Sequence, residues 1–152
     1  MNPRYNGSQG QVFNLTPQTI SIGIDVLAIR DYADQTIIHT FDLYPGASRQ
    51  EEPNQVKHKQ LITDIAVNRS GPSADDRNLV AFIDTNRDLY LTSVQSGSDA
   101  TLHKIGTQVI SVMWSSECNV LVGLHDSCYS IWYCPGEACS DPSLIALTTL
   151  SY

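Results

Sequence analysis

The sequence has no apolar run near the ~18–20 residues needed to cross a bilayer. Its opening, Met1–Ser8, carries no apolar segment of a secretory leader. Membrane insertion is therefore not expected, and a reducing compartment is. Cysteine is sparse: Cys118, Cys128, Cys134 and Cys139 are expected as free thiols. They include no C-x-x-C pair, so a structural metal is not expected, and Cys134 and Cys139, flanking Pro135-Gly136, would join only on oxidation. Basic residues are scarce as well, 9 against 16 acidic, for a net charge of −7. That balance argues against a nucleic-acid partner, which requires a basic face. There is no G-x-S-x-G elbow for a hydrolase and no D-x-D-x-D-G loop for calcium. The N-x-[ST] matches at Asn6, Asn14 and Asn68 read as chance.

Helical periodicity is missing too. What is present is 41% hydrophobic residues with 16% charged, enough for one core. They fall in short β-branched and aromatic runs between turn signals. Strands are predicted at Thr19–Ile24, Val26–Arg30, Thr36–Asp42, Leu61–Asn68, Leu79–Ile83, Leu89–Val94, Thr101–Ile105, Val109–Trp114, Val120–Leu124, Tyr129–Tyr133 and from Ser143 to Leu150. Ser48–Lys59 and Arg69–Asn78 read as polar connections. Such spacing indicates an all-β chain.

The strands also repeat. Val26–Asp42, Leu79–Ser93 and Val120–Tyr133 each run apolar strand, acidic turn, second strand. Phe41-Asp42, Thr92-Ser93 and Trp132-Tyr133 occupy matching slots 51 and 40 residues apart, near the ~40–45-residue period of WD40 blades. The predicted fold is an incomplete WD40-type β-propeller of about three to four blades of four-stranded antiparallel sheet. Its structural blade positions are Phe41, Asp84, Trp114, Asp126 and Trp132, with the aromatics filling the space between neighbouring sheets. Asp126 is expected at the acidic turn that takes a hydrogen bond from a histidine. His58 is expected as a partial echo of that histidine, with Lys57 in place of glycine, and Asn86 at the acidic slot of the second unit. Residues 1–12 are expected to be a poorly ordered segment and 13–152 the partial propeller. A closed ring takes about four to eight blades, so the chain is expected to be a segment of a larger protein, a truncated gene or an isoform.

Several runs are more specific than a generic blade. Leu27–Asp31, Ala81–Leu89, Leu121–Asp126 and Ile131–Pro135, with Lys57-His58-Lys59 leading into Leu61–Ala66, resemble the 80-kDa intraflagellar transport family. The resemblance covers about Phe13 to Asp141 and falls in that family's second WD40 propeller. It implies a subunit of the IFT-B train, required for cilium assembly and maintenance and located in the cytoplasm and the cilium, at axoneme and basal body. It further implies other IFT-B subunits as partners, and no enzymatic activity, cofactor, metal or small-molecule substrate.

A generic WD40 adaptor, in a ubiquitin ligase or a vesicle coat, is the alternative. A propeller hydrolase would need a serine beside one of His39, His58, His103 or His125, and spacing alone shows no such pair. Arg69–Asn78 and the acidic Gln50–Pro53 are the candidate contact loops, since recognition usually lies on loops of a rigid scaffold.

Overall fold

The computed structural model describes residues 19–43, 53–94, 101–136 and 146–151. Twelve strands form three four-stranded antiparallel sheets, each a meander of consecutive strands. Sheet 1 holds β1 (Ile20–Ile22), β2 (Val26–Arg30), β3 (Ile37–Asp42) and β4 (Asn54–Lys57). Sheet 2 holds β5 (Ile62–Val67), β6 (Leu79–Asp84), β7 (Leu89–Ser93) and β8 (His103–Gly106), with a one-turn helix α1 (Ala74–Arg77) between β5 and β6. Sheet 3 holds β9 (Ser111–Trp114), β10 (Val120–Leu124), β11 (Cys128–Tyr133) and β12 (Ala146–Ser151).

The three repeated units are the β2–β3, β6–β7 and β10–β11 hairpins, and they share one register. Val26 opposes Asp42, Leu79 opposes Ser93 and Val120 opposes Tyr133. The matching slots read from the sequence are thus equivalent ladder positions.

Sheet 2 lies between the other two, so its alternate side chains enter two cores. Val80 and Phe82 join Val26, Ala28, Ile38 and Val56 of sheet 1. Leu79, Ala81 and Ile83 join Val112, Trp114, Leu121 and Trp132 of sheet 3. A strand covered on both faces loses its polar alternation, and all six residues of β6 are buried. The described residues are therefore all-β and form three blades of an incomplete β-propeller.

The sheets are also stitched to one another by hydrogen bonds. The Val67 amide donates to Ser21 Oγ at 2.9 Å and the Arg30 guanidinium to the Ile62 carbonyl at 2.7 Å. From sheet 3, the Val112 amide donates to Asp64 Oδ2 at 3.1 Å, and the Trp114 indole N–H to the Ala66 carbonyl at 2.9 Å.

Two connections differ from the sequence expectation. Within Ser48–Lys59, residues 54–57 form β4, which pairs with β3. Only Val56 of that strand is buried, so one inward side chain on an edge strand is too faint a period-2 signal to read. Within Arg69–Asn78, Ser73 caps α1 by accepting the Asp76 amide at 3.2 Å. The expected boundary at residue 12 lies outside the described residues.

Candidate functional site

What positions the loops and faces of this molecule is a set of polar locks at the hairpin turns. The most buried is in sheet 2. The β4–β5 connection carries His58 and the β6–β7 turn carries Asp84, with Nε2–H donating to Oδ2 at 2.8 Å and both side chains almost fully buried. Asp84 Oδ1 accepts the amides of Asn86 and Asp88 at 2.9 and 3.1 Å, and Arg87 takes a left-handed φ of 62° to close the turn. The His58 ring meets Phe82 and Tyr90 edge-on at 5.3 and 4.6 Å. His58 is thus a full partner, and the acid is Asp84, two residues before the Asn86 slot read from the sequence. The turn runs from Asp84 to Asp88, and counting from the β7 end misplaces its first residue.

Asp126 is placed differently from its expectation. It is exposed on the β10–β11 turn, with Arg87 Nη1 at 3.3 Å. Its neighbour His125 ties the β8–β9 connection to sheet 3: Nδ1–H donates to the Gln108 carbonyl at 2.8 Å, which leaves Nε2 to accept from Ser130 Oγ at 2.8 Å. Ser130 also lies 3.4 Å from Thr149 Oγ1 and is buried. A hydroxyl held between two side chains inside a sheet works as a clamp.

Sheet 1 has a third lock, at the acidic turn of the Val26–Asp42 unit. Asp31 Oδ1 accepts the amides of Ala33 and Asp34 at 2.7 and 2.8 Å, while His39 Nε2 donates to Oδ2 at 2.6 Å. The Asp34 amide first, then the His39 contact and the Ala33 amide, pull the Asp31 carboxyl down to about 2. The signal available was an aspartate closing one strand with a histidine two residues into the next.

The aromatics occupy the junctions. Trp132 fills the space between sheets 2 and 3, with Gly106 and Gly123 leaving room: a Cβ on either would sit 3.0 or 2.7 Å from the ring. Trp114 packs in the same core. Phe41 is half-buried and points away from sheet 2, because its ladder neighbours Thr40 and Asp42 share a side with Val26 and Ala28. In the second and third units the equivalent slot faces the preceding sheet. Trp132 faces sheet 2 and Thr92, opposite Val80, faces sheet 1; among the described residues no sheet precedes Phe41.

The loop 69–78, expected as a contact loop, is a strap. Arg77 Nε donates to Asp25 Oδ2 in sheet 1 at 2.7 Å, and Ser70 Oγ donates to the carbonyls of Ser115 and Cys118 in sheet 3, at 2.9 and 2.7 Å. Asn68 is fully buried, with Nδ2 donating to the Asp76 carbonyl and to Asn119 Oδ1. Of the other candidate, Gln50–Pro53, only Pro53 lies within the described residues. Cys118, Cys128 and Cys134 are free, and Cys139 lies outside the described residues. Among the described residues no three His, Cys, Asp or Glu side chains are grouped as a metal would require, and no helix is long and apolar enough to cross a membrane.

Comparison with known proteins agrees with this architecture. The family model of the IFT80 second β-propeller matches residues 1–152. Rat and mouse proteins named intraflagellar transport protein 80 homolog are each 34% identical over 148 residues, covering 97% of this chain. The chain spans 18% of their length. Three stacked four-stranded sheets in one shared register, matched end to end by that family model, place the chain in the intraflagellar transport family of the IFT80 second β-propeller.

Proposed function

We propose that the chain is a non-enzymatic docking scaffold in IFT-B trains, serving cilium assembly and maintenance. The observation that carries this reading is the match of the whole chain to one transport-protein propeller. The geometry supports it. The β2–β3, β6–β7 and β10–β11 turns are each fixed by a carboxylate or an imidazole, and the three sheets are strapped by 69–78, so the surfaces between them are tied together. A rigid sheet stack presents loops and faces to other subunits at low ordering cost. The partners in this reading are other IFT-B subunits, with no nucleic acid, membrane insertion, small-molecule substrate or cofactor. The location is the cytoplasm and the cilium, at axoneme and basal body.

Tagged chain purified from ciliated cells tests this. Recovery of IFT-B subunits in stoichiometric amounts, with the tag in the axoneme, is expected. Recovery of a ubiquitin ligase or a vesicle coat in their place, with no ciliary signal, would overturn it in favour of a generic WD40 adaptor.

A further inference from the structure

Where the three sheets converge, β1, β5 and β9 line a cleft of about 840 Å³. Each is the terminal strand of its sheet, with one edge outside any ladder among the described residues. Asp64 lies in the wall and is only 5% exposed. Its carboxylate accepts from the Val112 amide at 3.1 Å, and Ser111 and the Ile65 amide also donate to it. Burial nevertheless outweighs those donors and pushes its pKa up.

No ion pair among the described residues includes Asp64, which makes it a sequestered carboxylate without a counter-cation. Such a group is costly unless a cation reaches it. The other charged side chains lining the cleft are Arg69 and Glu117, so acids outnumber bases there. Ile22 and Met113, 56% and 73% exposed, offer apolar surface beside it.

We propose that this cleft receives an arginine side chain from an extended segment of a partner protein, its guanidinium paired with the Asp64 carboxylate. The apolar stem of arginine suits Ile22 and Met113. The planar head carries five donors, enough to meet the carboxylate and carbonyls of the unladdered strand edges together. An ammonium has three donors and is more strongly hydrated, so lysine fits less well. The inference builds on the docking reading but does not depend on which train subunit supplies the segment.

The test uses the 152-residue chain and three blocked pentapeptides, with arginine, citrulline or lysine at the centre, followed by NMR and calorimetry. The arginine peptide is expected to bind saturably and to shift the Asp64, Val112 and Trp114 signals. The citrulline peptide, and the arginine peptide on Asp64→Asn, should each bind at least about tenfold more weakly. Ile22→Lys, at an exposed position, places a cation in the cleft and should weaken the arginine peptide as well, which covers the case of an Asp64 variant that does not fold. Absence of binding, equal affinity for citrulline or lysine, or unchanged affinity in both variants would overturn the proposal. Recovery of IFT-B subunits alongside any of those results would leave the transport reading standing.

Discussion

The central sheet and its two neighbours follow one strand plan yet differ in how their side chains are used. In β6 every residue from Leu79 to Asp84 is buried, whereas β2 and β10 alternate buried with half-buried or exposed positions. The equivalent slots show the same contrast: Thr92 and Trp132 face a neighbouring sheet, and Phe41 does not. The locks differ in parallel. His58–Asp84 of the central sheet is sealed from water, while His39–Asp31 of sheet 1 is partly open and the Asp126 turn of sheet 3 is exposed. Burial at a junction, more than residue type, decides what a repeated position contributes.

The largest expected effect separates junction aromatics from the free face. Trp132→Ala and Phe82→Ala should each cost about 3–5 kcal/mol in chemical denaturation, and Phe41→Ala about 1. An equal cost at Phe41 would mean that its face is covered like the others.

Next come the locks. Asp84→Ala strands the buried His58 ring and the amides of Asn86 and Asp88, and should cost about 3 kcal/mol. Asp126→Ala removes a surface pair and should cost about 0.5 kcal/mol or less by the same measurement. Similar losses at the two sites would break the distinction between sealed and open turns.

Acid sharpens the comparison. Asp31 has a native pKa of about 2 against an ordinary 3.8, so between those values the unfolded chain binds more protons. Its stabilising contribution is therefore complete above about pH 4 and is lost as the pH falls towards 2. Asp64 is shifted the other way by burial, so its ionisation on raising the pH through its native pKa subtracts stability. Unfolding midpoints measured from pH 2 to 6 should show a shallower acid limb in Asp31→Asn than in the parent chain.

The smallest effect concerns the outer face of sheet 3, where Leu124 and Leu150 each lie opposite Tyr129 across one strand and are exposed. Leu124→Lys with Leu150→Lys should reduce self-association in size-exclusion runs while moving stability by less than about 0.5 kcal/mol.

Much of the fold was legible in the sequence, because hairpins are local. Val120–Leu124 and Val26–Arg30 have the bounds read from their apolar runs, and the 51- and 40-residue offsets of the slots reappear as ladder register. The locks were less legible. Asp84 lies 26 residues from His58, and no local period links a turn to the connection that precedes its sheet. The strap was hidden for the same reason: Arg77 meets Asp25 and Ser70 meets Ser115 at separations of 52 and 45 residues.

The sequence by itself determined every described strand but β4, their antiparallel pairing and the three-fold repeat. Those depend on side-chain period, turn chemistry and short loop closure, all of which act within a few tens of residues. Tertiary structure decided which copy of each position is buried. A sheet has two faces, and only stacking sheet 2 between sheets 1 and 3 gave Phe82 and Asp84 a dry environment and left Phe41 and Asp126 outside one.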